Sequence, residues 1–256
     1  MRWRILGPVE AEGDSGPVAI ERPQERGLLA YLLLNANRVV PTVRLIEAFW
    51  GDTPPTSARA QVQVCISHIR QALPTAEPCR LLTRAGGYRL DVADGEFDLA
   101  QFTAAVSRAR SAAVADDLPR SADLLHTALA MWCGPAMAGA TGAFVESAAA
   151  GLEERRVAAY EELAGIEAAR GRQGELVAEL SGLVETHPLR ERLVGHLMMA
   201  LAGSGQQARA LDLYTTTRSR LSVALGVEPG PELAAAHLRV LRQELPYAGS
   251  EPVTRR

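Results

Sequence analysis

Between Thr56 and Leu73 the sequence sets Gln61, Gln63, Ser67, His68 and Gln71 at positions that suit one side of a helix. Primary amides pair with adenine edges, and hydroxyl or imidazole groups donate to bases, so this side carries the chemistry of major-groove readout. Arg59 and Arg70 fall on its flanks, where guanidinium groups reach phosphates and fix the register. The stretch 56–73 contains no acid, and from 56 to 89 five arginines (Arg59, Arg70, Arg80, Arg84, Arg89) face the single acid Glu77, a local charge of +4. Local sign, more than the chain total, governs approach to a phosphate backbone.

Such a face needs an element that holds it from behind. Val62, Ile66, Ile69 and Leu73 recur at spacings of 4, 3 and 4, within about 60° of arc at 100° per residue, and form the buried stripe of a third helix. Ala60, Val64, Ser67 and Gln71 point away, and Cys65 sits at the edge of the stripe. Ahead of it, Leu28, Leu29, Leu32 and Leu33 mark a first helix over 24–34. Leu45, Ile46, Phe49 and Trp50 mark a second, with Thr42 as its expected N-cap. Gly51-Asp52-Thr53-Pro54-Pro55 breaks that helix. Trp3 and Ile5 alternate with Arg2 and Arg4, and Val18 to Ile20 follow a Gly13-to-Gly16 turn, the pattern of a small antiparallel sheet. Leu81 to Arg84 and Tyr88 to Leu90 flank a Gly86-Gly87 turn and read as a hairpin, which puts Arg84 and Arg89 beside the third helix. Strands, three helices and a terminal hairpin are the parts of a winged helix-turn-helix.

Other titratable clusters point to no chemistry of their own. His187-Pro188 sits at a helix end, where histidine is favoured electrostatically, and Arg190, Glu191 and Arg192 suit ion pairs. His126, His196 and His237 have no ligand or nucleophile partner at i+3 or i+4. Cys65, Cys79 and Cys133 form no CxxC spacing, so neither a metal site nor a disulfide framework is expected. No GxxxxGK[ST] string occurs. We therefore expect no catalytic residues, no metal and no cofactor.

The composition of the 256-residue chain agrees with two globular parts: 47% is apolar, 22% charged and 5% aromatic. Nothing approaches the roughly 20 apolar residues of a membrane span, and Met1-Arg2-Trp3-Arg4 does not open a signal peptide; the expected location is the cytoplasm, at the nucleoid. The net charge of −3 conceals an asymmetry. Residues 1–95 carry 11 arginines against 10 acids, and 96–256 carry 16 against 20. All 27 cationic side chains are arginine, which fits codon bias in a GC-rich genome.

After Phe97 the chain reads as seven helices over 97–115, 118–132, 144–170, 175–185, 189–202, 207–224 and 231–245. Gly171-Arg172-Gln173-Gly174 recurs as Gly205-Gln206-Gln207-Ala208, an offset of 34 residues that matches tetratricopeptide helix pairs. The expected fold is thus mainly α. A winged helix-turn-helix (α+β) occupies 1–94, an all-α tetratricopeptide-like domain occupies 97–245, and 246–256 is a disordered tail.

The first part, through Leu6-Gly7-Pro8, Arg38-Val39-Val40, Arg44-Leu45-Ile46, Phe49-Trp50-Gly51-Asp52, Pro54-Pro55, Ala58-Arg59, Val62-Gln63-Val64 and Gly87-Tyr88-Arg89-Leu90, resembles the Streptomyces antibiotic regulatory proteins, whose DNA-binding half is similar to OmpR-type output domains. The second part, through Ala128 to Trp132, Leu152 to Arg156, His187 to Leu193, Ser204 to Ala208 and above all Leu225-Gly226-Val227-Glu228-Pro229-Gly230-Pro231-Glu232-Leu233, looks like the bacterial transcriptional activation domain of that family. The resemblance implies a sequence-specific activator of an antibiotic or other secondary-metabolite cluster. It implies binding to direct repeats in double-stranded promoter DNA, as two protomers side by side, and recruitment of RNA polymerase holoenzyme. Carried onto this chain, the DNA contacts are Arg59, Gln61, Val64, Ser67, His68 and Arg70 on the third helix, with Arg84, Gly87 and Tyr88 on the wing. Cys65 stands where the family commonly has an aromatic, and His68 and Gln71 stand where it often has arginine. The loop Gly51, Asp52, Thr53, Pro54 and Pro55, next to the groove-bound helix, is the expected polymerase-facing element. With no receiver domain expected ahead of the winged helix, control falls to abundance, a ligand or another protein. The alternative is a tetratricopeptide-type adaptor whose winged helix binds protein instead of DNA; the acid-free third helix favours DNA.

Overall fold

The computed structural model describes residues 1–14, 16–73 and 80–244; the tail expected over 246–256 lies outside the described residues. The chain divides into two compact units, Met1–Ser107 with Thr127–Arg156, and Arg108–His126 with Val157–Arg256.

The first unit opens with strands β1 (Arg2–Arg4), β2 (Glu10–Gly13) and β3 (Gly16–Pro17), an antiparallel sheet in which Trp3 faces Ala11. Trp3 and Ile5 are fully buried, as their alternation with arginine predicts. Helix α1 (Pro23–Leu34) buries Leu28, Leu29, Leu32 and Leu33, with proline in its first turn where a missing N–H costs nothing. The short strand β4 (Val40–Pro41) precedes α2 (Thr42–Trp50). Thr42 does not cap α2. Pro41 holds that position, and the Thr42 hydroxyl instead donates to the Gly86 carbonyl at 3.3 Å, because β4 has brought it beside the hairpin. Helix α3 (Ala58–Ala72) follows, then β5 (Leu81–Arg84) and β6 (Gly87–Leu90), with sheet order β4-β6-β5.

Residues beyond 94 complete this unit. In α4 (Asp98–Val114) the buried Asp98 carboxylate accepts the Ile5 N–H at 2.9 Å and the Leu6 N–H at 2.9 Å. Burial pushes this carboxyl above the ordinary carboxylate value, and the donors of Leu6, Ile5 and Leu99 oppose that shift. Following α5 (Leu118–Leu129), the segment 133–144 returns to the winged helix. Cys133 N–H donates to the Leu6 carbonyl, Met137 N–H to Ile5, Thr141 N–H to Pro23 and Phe144 N–H to Ala48. Gly27 is required here, since a Cβ on it would stand 2.0 Å from the Thr141 carbonyl oxygen. Phe144, in edge contact with Tyr31 and tilted against Phe49, closes that side of the core.

The second unit is helical. It takes the latter part of α6 (Val145–Ala169), a turn of 3-10 helix over Gln173–Leu176, and α7 (Val177–Thr186), α8 (Glu191–Gly203), α9 (Gln207–Leu225) and α10 (Pro231–Leu241). The 34-residue repeat marks equivalent helix ends. Gly171 and Gly205 both adopt positive φ, 72° and 76°. The following N–H groups, of Arg172 and Gln206, bond back to Glu167 and Leu201, the Schellman closure that favours glycine. Glu167, 1% exposed, is held by Arg170 at 3.0 Å and Arg172 at 2.9 Å, and Glu161 by Arg190 at 2.7 Å; buried carboxylates persist because they are paired.

Asp98→Ala leaves the buried N–H groups of Ile5, Leu6 and Leu99 without this acceptor, and urea unfolding should show a loss of about 3 kcal/mol. A fragment ending at Asp94 lacks this acceptor as well and should melt well below the whole chain. Burial, reinforced by Arg192, lowers the His196 pKa below its ordinary 6.5. Below pH 6.5 the unfolded chain therefore takes up a proton that the folded one refuses, so stability falls as pH drops. His196→Leu should flatten the dependence of the urea midpoint on pH in this range.

Candidate nucleic-acid interface

Helix α3 is held from one side. Val62, Cys65, Ile66 and Ile69 are buried, and Leu73 just past its end is 7% exposed. Arg59, Ala60, Gln63, Val64, Ser67 and Gln71 are exposed. Val64, half exposed, gives the face an apolar point able to meet a thymine methyl. Burial raises the Cys65 thiol pKa, with Glu25 adding to the shift and Arg22 opposing it, so the group is a protonated core side chain.

The residues expected to contact DNA fall into two groups. Arg59 and Arg84 are exposed and make no ion pair among the described residues, and Ser67 is open. Gln61 is half-buried, its amide donating to Ser57 Oγ at 2.9 Å and its carbonyl accepting from Gln24 at 3.4 Å. The others are engaged inside the fold. His68 Nδ1 lies 2.7 Å from Glu25 Oε1 and 3.1 Å from Arg22 Nη1, which ties α3 to α1. Arg70 donates to the Leu81 carbonyl at 2.8 Å and to Thr83 Oγ1 at 2.8 Å, with its guanidinium 5.9 Å from the Tyr88 ring centroid. One arginine thus fastens the hairpin to the helix. Arg89 does not stand free on the wing, because the adjacent Asp91 carboxylate, 2.6 Å away, has claimed it.

The wing itself depends on two glycines in different ways. Gly86 takes positive φ, 78°, in the turn. Gly87 is excluded from bearing a side chain because its Cβ would stand 2.1 Å from the Val40 carbonyl oxygen on the neighbouring strand. Tyr88 is buried beside it. The loop Gly51 to Pro55 is largely exposed, turns at Gly51 with φ 58°, and leads into α3 where Ala58 N–H donates to the Pro55 carbonyl.

Sequence spacing did not reveal Arg22. It precedes α1, 46 residues from His68, yet its two-thirds-exposed side chain stands beside α3. Its only signal was a cation just before a helix that packs against α3, and nothing in the spacing joins the two.

Comparison with known proteins matches this architecture. Residues 19–90 match the family described as "Transcriptional regulatory protein, C terminal" and residues 97–241 match "Bacterial transcriptional activator domain". The chain is 39% identical to the regulatory protein AfsR of Streptomyces coelicolor over 245 residues, 95% of this chain and 24% of AfsR. It is 35% identical to the transcriptional regulator RedD of the same organism, covering 94% of this chain and 70% of RedD. A solved structure of Mycobacterium tuberculosis EmbR in complex with a low affinity phosphopeptide superposes with a TM-score of 0.84 at 36% identity, covering 94% of this chain and 65% of that one. The chain spans about a quarter of the AfsR relatives and just under two thirds of EmbR. An OmpR-type winged helix joined to a bacterial transcriptional activator domain defines a class, the bacterial transcriptional regulators. Within it, the chain belongs to the family of Streptomyces antibiotic regulatory proteins.

The clamp generates a prediction. Arg70→Ala should speed amide exchange in the hairpin with little change in the melting of the second unit. Arg70→Lys should not restore protection, since lysine cannot span two acceptors with a rigid fork. Gly87→Ala should cost about 1–3 kcal/mol in chemical denaturation through overpacking against β4.

Proposed function

We propose that this chain binds double-stranded promoter DNA, with α3 in the major groove and the hairpin on the adjoining backbone or minor groove, and that it activates transcription. The observation that carries this reading is the division of α3: one face buried in the unit, the other exposed, free of acids and bearing amide, hydroxyl and small apolar groups. Gln61, Val64 and Ser67 meet base edges. Arg59 on the helix and Arg84 on the wing meet phosphates, and Arg22 adds a cation at the helix flank. Gly87 and Tyr88 shape the wing, while His68 and Arg70 fix how far helix and wing stand apart.

Family membership supports the remaining parts of the reading. Two protomers sit side by side on direct repeats at promoters of a secondary-metabolite cluster, in the cytoplasm at the nucleoid. The exposed loop Gly51 to Pro55 meets RNA polymerase holoenzyme next to the bound groove. Exposure and a stiff Pro54-Pro55 pair suit a contact element that must keep its shape without burial.

Gel-shift titration against salt tests the DNA reading. Binding should weaken steeply as salt rises, and Arg59→Ala and Arg84→Ala should each reduce the logarithmic slope by about 1, one phosphate contact apiece. Affinity that ignores salt, or a slope unchanged in both variants, refutes the contact surface. For the loop, Asp52→Arg should leave the gel shift intact and lower transcript yield in a reconstituted system with holoenzyme. Equal loss of binding and transcript would place the loop's role in DNA contact instead.

A further inference from the structure

Gln61 stands on the flank of α3 with both ends of its amide already held. Its N–H donates to Ser57 Oγ, four residues back, at 2.9 Å, and its carbonyl oxygen accepts from the Gln24 amide at 3.4 Å. Gln24 lies 37 residues away along the chain, in the first turn of α1. It reaches α3 because the next residue, Glu25, is tied to His68 and draws the two helices together. Ser57, Gln61 and Gln24 thus form a line from the start of α3 to the start of α1.

A primary amide offers two N–H donors and two lone pairs. With one of each spent on Ser57 and Gln24, Gln61 keeps one donor and one acceptor. Turning the whole line around, so that Ser57 donates and Gln24 accepts, leaves the same remainder. The major-groove edge of adenine presents one acceptor, N7, and one donor, the N6 amino group, whereas guanine presents two acceptors, N7 and O6. A free glutamine can aim both N–H groups at guanine; one held by Ser57 and Gln24 has a single N–H to give.

The surroundings leave that remainder unclaimed. Gln24 and Gln61 line a groove of about 430 Å³ whose wall includes Pro23, Ala60, Val64 and Cys65. Its one acid, Glu25, is turned to His68 at 2.7 Å. Fixing the amide in advance also spares the rotamer freedom that a long side chain loses on binding.

We infer that Gln24 and Ser57 are positioning residues that make Gln61 specific for adenine over guanine at one base pair of the bound site. The inference rests on the DNA reading above, and adds to it the base that one side chain selects and the two residues that enforce the choice.

In the test, the whole chain selects duplexes from a pool randomised over about 20 base pairs, two helical turns. The enriched sequence is then varied one base pair at a time in competition gel shifts. Gln61→Ala marks its own position as the one where base preference disappears. There the original chain should favour adenine over guanine by about tenfold or more. Gln24→Leu and Ser57→Ala should each cut that ratio severalfold, while Ser57→Thr, which keeps the hydroxyl, should retain it. Preferences at other positions and the salt slope should not move, because no phosphate contact is removed. A merely structural role for Gln24 would weaken binding alike for every sequence. If Gln24→Leu melts abnormally, Gln24→Ala serves instead. Enrichment of no duplex, or binding blind to salt, defeats the DNA reading and the inference with it. The inference alone is overturned by salt-dependent binding in which Gln61→Ala changes no position, or removes a preference for a base other than adenine. It is likewise overturned if either Gln24→Leu or Ser57→Ala keeps the full ratio.

Discussion

A helix that reads a groove must be fixed from one side and left bare on the other, and α3 meets that constraint with few groups. Four buried side chains, Val62, Cys65, Ile66 and Ile69, press it into the unit. Glu25 through His68 tethers it to α1, and Arg70 bolts it to the hairpin. The dispersion and burial terms of the apolar stripe set its depth, while the two polar ties set its rotation and its distance from the wing. Bare side chains on the outer face cost little because Gln63, Ser67 and Gln71 remain hydrated until a partner replaces the water.

The same unit depends on chain from beyond the winged helix. Asp98 brings an acceptor to two buried N–H groups of the N-terminal strand region, and 133–144 supplies backbone partners to Ile5, Leu6, Pro23 and Ala48. Backbone groups that are buried must be paired, and the small N-terminal sheet has too few strands to pair its own. The compact unit therefore extends through parts of α4, α5 and α6, whereas the matched families meet in the short gap between residues 90 and 97. A family boundary follows sequence recurrence; a compact unit follows where backbone bonds and apolar area close.

In the helical unit the paired and unpaired polar groups differ in kind. Glu161 and Glu167 are buried carboxylates satisfied by arginines within the fold. Gln173 Oε1 and His196 Nε2 are buried atoms left unsatisfied. A fold optimised for stability alone would pair such atoms or replace them with apolar groups.

Much was legible in the sequence. The 3.6-residue stripes located α1, α3 and the seven later helices to within a few residues, because burial of one helix face is a local signal. The 34-residue offset located two helix ends that close in the same way, because only glycine takes that backbone without cost. The Gly86-Gly87 turn located the hairpin. Partners distant along the chain were not legible. Thr42 had the residue type of an N-cap, yet β4 delivered its hydroxyl to Gly86. Arg89 had the charge of a phosphate contact, but Asp91 holds it, and Arg22 arrived beside α3 from 46 residues away. The sequence by itself determined which faces are apolar, where the chain turns and which groups are available for contact. The tertiary structure alone decided which arginines remain free and which are spent, because an ion pair or a hydrogen bond forms within about 3 Å in space and leaves no periodic trace along the chain.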